Sequence, residues 1–116
     1  LCGCGSCEEV QEDIAQAYQE VIDSIRSDGS RVVIWGYYGI SPDAPEFGNC
    51  NEAIDQLSQM QLNLANSDDG VLWVNGKNDI TGEDSSYYDD DLIHPSLKGS
   101  EQIAEQIATA IEQAGN

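Results

Sequence analysis

The sequence predicts an α/β protein in which helices and parallel strands alternate in the order αβαβα. Two short runs, "VVIW" and "VLWV", are wholly apolar and rich in β-branched residues, as in strands that are covered on both faces. Three longer segments repeat apolar residues at the period of an amphipathic helix. Helices that alternate with such strands form crossovers over a parallel sheet, so residues 1–116 are expected to form a single domain of this class.

The first helix is predicted from Glu8 to Asp28 and the first strand from Val32 to Trp35, with the turn-forming residues "DGS" between them. One face of this helix carries an apolar stripe that should be buried. The stripe consists of Val10, Ile14, Ala17, Tyr18, Val21, Ile22 and Ile25.

The loop "SPDAPEFGNCN" then leads into a second helix, whose periodic positions are Ala53, Ile54, Leu57, Met60, Gln61 and Leu64. The second strand is predicted from Val71 to Val74, and a long polar loop from Asn75 to Asp91 follows it. The last helix is expected from about Leu97 to Ala114, with a stripe of Ile103, Ala104, Ile107, Ala108 and Ile111.

Two strands make a narrow platform for three helices that each need to bury a stripe, because an isolated strand pair is marginal in water. We therefore expect further strands on the N-terminal side. The chain would then be the C-terminal portion of a doubly wound domain in three layers. A self-sufficient small domain is the alternative.

The composition excludes two classes of partner. Twenty-two acidic residues against four basic ones give a formal net charge of −18, which repels the phosphates of nucleic acids and of anionic membranes. No apolar run approaches the roughly 20 residues of a membrane span.

The four cysteines are Cys2, Cys4, Cys7 and Cys50, and three of them lie in the Cys-rich N-terminal segment, residues 1–7. An even set favours disulfides, and hence a secreted or extracytoplasmic protein. A metal site that uses the three clustered cysteines with either Cys50 or His94 is an alternative, although a zinc site usually has a second half-site of paired ligands. A calcium site in the polar loop is disfavoured because its acids do not follow the EF-hand order.

His94 is the only histidine, and it lies in the loop between the second strand and the last helix. Loops at the carboxyl ends of parallel strands are where open α/β sheets place their chemistry. Asp91 lies one turn of backbone before His94, so the carboxylate of Asp91 can accept the Nδ1 proton of the imidazole and leave Nε2 free as a general base. Asp89 and Asp90 should raise the pKa of the imidazole. The alternative is that His94 merely caps the loop.

The stretch "DLIHPSLKGSEQIAEQI" resembles the last conserved block of the SGNH hydrolases, also called the GDSL esterase and lipase family, with its D-x-x-H-P pattern. The matching positions are Asp91, His94, Pro95, Ser96 and Gly99. "RVVIWGYYGI", "NCNEAIDQLSQMQLNLAN" and "GVLWVNG" resemble that family's penultimate strand, the helix after it and its last strand. The resemblance implies a flavodoxin-like sheet and hydrolysis of an ester through an acyl-serine intermediate, with no cofactor or metal.

The resemblance assigns catalytic roles to His94 as the base and Asp91 as the residue that orients it. However, the G-D-S nucleophile block and the oxyanion-hole glycine of the family are absent. "GKND" matches a third family block in letters but stands after the last strand, out of place. Ser6 has no strand ahead of it to present it as a nucleophile.

The sequence thus predicts an ester hydrolase portion that acts on a small-molecule, lipid or acylated-sugar ester. Its nucleophilic serine would come from a companion chain or an N-terminal segment. An inactive, secreted, disulfide-containing binding module is the alternative function.

Overall fold

The structure, a computed structural model, describes residues 7–115, with side chains from residue 9 onward. Its elements alternate as predicted, which confirms the mixed α/β class within these residues. They are α1 (Cys7–Arg26), β1 (Val32–Trp35), α2 (Asn51–Asn66), β2 (Val71–Val74), a 3-10 helix (Ser85–Tyr87) and α3 (Leu97–Gln113).

The two strands pair in parallel, in a register that joins Val32 to Val71 and Trp35 to Val74. The bounds of both strands agree with the sequence prediction. Just beyond them, the backbone N–H of Gly36 donates to the carbonyl of Val74 at 2.7 Å, which extends the ladder at the carboxyl ends. Because the strands are parallel, the loops that follow β1 and β2 emerge at the same edge of the sheet.

A buried cluster of Ile22, Ile34 and Val71 joins α1 to both strands. Next to it lies Gln61 of α2, a polar side chain that is only 2% exposed. Its Nε2 donates to the hydroxyl of Tyr18 at 3.0 Å, and its Oε1 accepts from the indole N–H of Trp73 at 3.3 Å. These two bonds give both the nitrogen and the oxygen of the buried amide a partner, and they tie α1, α2 and β2 together.

The last helix contacts β2 and the 3-10 helix. It begins with a capping residue, Ser96, whose Oγ accepts from the backbone N–H of Gly99 at 3.1 Å. Farther along α3, the Oε1 of Gln106 accepts from the indole N–H of Trp35 at 3.3 Å. Its Nε2 donates to the carboxylate of Asp79 at 2.9 Å. The helix is thereby fixed to β1 and to the loop after β2.

Three expectations about burial are wrong. In the predicted stripe of α3, Ala104 and Ala108 are exposed and Ile111 is 40% exposed. In the stripe of α1, Ile22 is 3% exposed, but its neighbour Val21 is 59% exposed and Val10 is 52% exposed. Likewise β1 is not covered on both faces, since Val33 is 38% exposed. The physical reason is the width of the platform: within the described residues the sheet has two strands, which cover only part of α1.

The long polar loop also contains a 3-10 turn that the sequence analysis did not predict. Asp84 caps it by accepting from the backbone N–H of Ser86 at 2.9 Å. No helix within residues 7–115 has both the length and the hydropathy to cross a lipid bilayer.

Candidate functional site

The loop that carries His94 folds back on itself between residues 89 and 94. The backbone N–H of Asp89 donates to the carbonyl of His94 at 2.8 Å, and that of Leu92 donates to the carbonyl of Asp89 at 2.9 Å. Leu92 adopts a left-handed conformation with φ of 59°. Because this turn reverses the chain, Asp91 and His94 project together at one end of the loop.

Asp91 and His94 are in direct contact, as the sequence spacing predicts. The Oδ2 of Asp91 is hydrogen-bonded to the Nδ1 of His94. Its Oδ1 accepts from the backbone N–H groups of Ile93 and His94, each at 2.9 Å. A carboxylate held at both oxygens fixes the orientation of the imidazole ring.

The second ring nitrogen of His94, Nε2, has a different environment from Nδ1. The side chain of His94 is 74% exposed and that of Asp91 is 44% exposed. Within residues 7–115 no group forms a hydrogen bond with Nε2 of His94. The pair therefore presents an unblocked Nε2 that can accept a proton from a hydroxyl brought to it.

The two groups shift each other's pKa values in opposite directions. The hydrogen bond from His94 and the backbone N–H groups of Ile93 and His94 lower the pKa of Asp91 to about 2. The hydrogen bond to Asp91, followed by its negative charge, raises the pKa of His94. The charge of Asp89 adds a smaller part, so the upward direction was predicted correctly but its main cause is Asp91.

Two buried tyrosines anchor this loop to the sheet. The hydroxyl of Tyr38, which follows β1, donates to the carbonyl of Ile93 at 2.5 Å, one residue before His94. The hydroxyl of Tyr88 donates to the carbonyl of Gly39. Burial raises the pKa of the Tyr38 hydroxyl, so it stays protonated as a donor. These bonds place the Asp91–His94 pair at the carboxyl edge of the strands.

The residues after His94 hold the loop in position. The backbone N–H of Ser96 donates to the carbonyl of Tyr87 at 2.9 Å, and Pro95 pairs with Tyr88 in a short antiparallel bridge. A Cβ at Gly99 would lie 2.1 Å from the Tyr87 carbonyl oxygen, so only glycine fits there. The glycine at position 99 is therefore explained by close packing of the backbone.

The "GKND" segment has structural contacts. Lys77 forms an ion pair with Asp55 at 2.7 Å, and Asp79 accepts from Gln106. A Cβ at Gly76 would lie 2.0 Å from the carbonyl oxygen of Gly36. These contacts give the segment a structural role, and the interpretation of the letter match as a coincidence stays a prediction.

The metal alternative is tested only in part. Among the described residues, no three or more His, Cys, Asp or Glu side chains lie close enough together to hold a metal ion. Cys2 and Cys4 lie outside the described residues, so a site or disulfide that involves them stays a prediction. Cys50 is buried at the start of α2.

Sequence reasoning named the catalytic candidates but missed the groups that anchor their loop. Tyr38 and Tyr88 carry no motif that marks them as anchors of this loop. The available signal was their position, since Tyr38 lies three residues after the end of β1 and Tyr88 lies three residues before Asp91. The hydroxyl partners, both backbone carbonyls, have no sequence pattern of their own.

Comparisons with protein-family models, with curated proteins and with solved structures found no match to this chain. The resemblance of residues 91–99 to the SGNH block remains a prediction from the sequence pattern.

Proposed function

We propose that this chain supplies the general base His94 and its positioning residue Asp91 to a serine ester hydrolase of the SGNH type. The observation that supports the proposal best is the bond between Asp91 and the Nδ1 of His94, which leaves Nε2 exposed. A carboxylate that holds the imidazole in one tautomer and favours its protonated form is what a proton-transferring histidine requires.

In this mechanism Nε2 of His94 accepts the proton of a serine hydroxyl as its oxygen attacks the carbonyl carbon of the ester. The tetrahedral intermediate expels the alcohol, which takes the proton from the imidazolium, and an acyl-serine remains. Water then attacks the acyl-serine while His94 again accepts a proton and returns it to the serine oxygen. The products are one alcohol and one carboxylic acid.

The serine closest to His94 in sequence, Ser96, is a poor nucleophile because its hydroxyl is already used twice. Its Oγ donates to the carbonyl of Ser86 at 2.7 Å and accepts from the N–H of Gly99. We therefore propose that the nucleophilic serine comes from a companion chain or from a segment N-terminal to this one. The same partner would supply the oxyanion-hole donors.

The place we propose for that partner is the second edge of β1, which would extend the sheet into a three-layer, flavodoxin-like arrangement. Supporting this, β1 pairs only with β2 in the described part of the chain, and the side chain of Val33 on β1 is exposed. Val21 and Ile25 of α1, the helix that contacts β1, are also exposed. A further strand with its own layer would bury such apolar side chains.

The test is hydrolysis of a short-chain p-nitrophenyl ester by the complete protein, with and without His94→Ala. We expect kcat/KM to fall by roughly three orders of magnitude or more, with unchanged thermal stability, because the base acts in both steps. Asp90→Ala is the matched control, since it removes a neighbouring acid that does not contact the ring. Full activity in His94→Ala would refute the proposal.

An inactive binding module is the second candidate, and the use of the Ser96 hydroxyl in two structural hydrogen bonds favours it. A fluorophosphonate probe separates the two functions, because it labels only an activated serine. Labelling that is abolished by His94→Ala supports the hydrolase, and absence of labelling in the complete protein supports the binding module.

A further inference from the structure

An apolar groove of about 250 Å³ opens beside the candidate site, between the segment that follows β1 and the start of α2. No charged side chain lines it, on a protein whose formal net charge is −18. Its wall includes Tyr37, Ile40, Phe47, Ala53, Ile54 and Leu57. An uncharged groove on so acidic a surface is suited to a neutral, apolar group.

The groove and the Asp91–His94 pair share their supporting residues. Leu92 and Ile93, from the loop that carries His94, pack on the buried cluster that contains the groove residues Ile40 and Ile54. Tyr37 of the groove wall stacks on Tyr38 with ring centroids 4.5 Å apart. Tyr38 in turn donates to the carbonyl of Ile93, directly before His94.

We infer that this groove binds the acyl chain of the ester whose hydrolysis His94 assists, so that the substrate class is the neutral ester of a short- to medium-chain aliphatic acid. The inference rests on the proposed function. It specifies the acyl part of the substrate, because a charged or bulky polar acyl group has no matching surface in the groove.

The size of the groove limits the acyl chain. A volume of about 250 Å³ lies just below the usual range for pockets that hold drug-sized ligands, so the groove suits a short chain. We therefore expect acyl chains of about four to eight carbons to bind, and longer chains to gain no further affinity.

Binding can be measured without catalysis, on the 116-residue chain itself. ¹H–¹⁵N NMR spectra are recorded during titration with methyl acetate, methyl butyrate, methyl hexanoate and methyl dodecanoate. We expect saturable shifts at Tyr37, Ala53 and Leu57, with the dissociation constant falling about two- to fourfold per added methylene up to the hexanoate. The gain should stop before the dodecanoate.

Ala53→Trp should fill the groove and weaken hexanoate binding at least tenfold. Ala108→Trp, at an exposed position of α3, is the matched control and should bind as the unmodified chain does. If the spectrum shows that Ala53→Trp is unfolded, Leu57→Gln replaces it, and a fivefold or greater loss is expected. Equal binding by the folded groove variant and the control would overturn the inference, as would shifts confined to Val21, Val33 and Ile111.

His94→Ala separates this inference from the proposed function. The imidazole does not line the groove, so hexanoate affinity should be unchanged in this variant. Loss of turnover in His94→Ala together with absent groove binding refutes the acyl site alone. Groove binding together with full turnover in His94→Ala refutes the catalytic role and leaves only a neutral-ester binding site.

Discussion

The loop around His94 and the helix α1 differ in how completely their groups find partners. In the loop, Asp84, Asp91 and Ser96 each accept bonds from nearby backbone N–H groups. In α1, by contrast, four large apolar side chains are exposed: Val10, Ile14, Val21 and Ile25. The loop around His94 is therefore held by short-range hydrogen bonds, whereas α1 has apolar surface that the described residues do not cover.

The difference can be tested within α1 itself, where adjacent residues have opposite environments. Ile22→Ala removes a side chain that packs on Ile34 and Val71, and we expect it to lower the free energy of unfolding by about 3 kcal/mol. Val21→Ala, at an exposed position, should change it by less than about 0.5 kcal/mol. Urea denaturation followed by far-UV circular dichroism measures both.

The exposed position Val21 also tests the proposed partner surface. Under the proposed function, Val21→Asp should reduce both the association with the proposed companion segment and the ester hydrolysis of the assembled protein, while the stability of this chain alone stays unchanged. A large loss of stability from Val21→Ala in the isolated chain would contradict the comparison, because α1 would then already be covered.

The second prediction concerns packing in the His94 loop. Gly99→Ala would place a Cβ 2.1 Å from the Tyr87 carbonyl oxygen, and we expect it to destabilise the fold by about 2 kcal/mol. Gly29→Ala is the control: it has positive φ of 88° but nothing within 4 Å, so only backbone strain of about 1 kcal/mol is expected.

Thermal unfolding compares the two glycine variants, and the NMR signal of His94 reports whether the loop has moved. We expect that signal to shift in Gly99→Ala and to stay in place in Gly29→Ala. Equal effects from both substitutions would show that close approach of Tyr87 does not determine the position of the loop.

Local patterns were enough to predict the element order and the Asp91–His94 contact. Strand bounds followed from unbroken apolar runs, and the contact followed from a spacing of one backbone turn, because both depend on residues close in sequence. The buried stripe of α1 was predicted wrongly, since periodicity shows which face is apolar and says nothing about what covers it. Tyr38 bonds a carbonyl 55 positions away in sequence, a distance at which no local pattern operates.

The smallest expected effect is a change in the pKa of His94, and this pKa reports directly on the hydrogen bond between Asp91 and His94. The chain has a single histidine, so one ¹H NMR resonance reports its titration. We expect an apparent pKa above 6.5, which Asp91→Asn should lower towards that ordinary value because it removes the hydrogen-bonded charge. Asp90→Asn, which leaves the contact intact, should shift it much less.

The direction of these shifts also sets the dependence on pH. Since the folded pKa of His94 is raised, the stabilisation from its protonated form is complete below pH 6.5 and is lost as the pH rises through the raised pKa. The pKa of Asp91, lowered from 3.8 to about 2, gives stabilisation that is present above pH 3.8 and is lost as the pH falls towards 2.

A general base must be neutral, so ester hydrolysis should increase with pH through the raised pKa of His94. In Asp91→Asn that increase should move to lower pH while the maximal rate falls, because the ring is no longer oriented. If the pH of half-maximal rate were the same in Asp91→Asn as in the unmodified chain, a group other than His94 would control the dependence on pH.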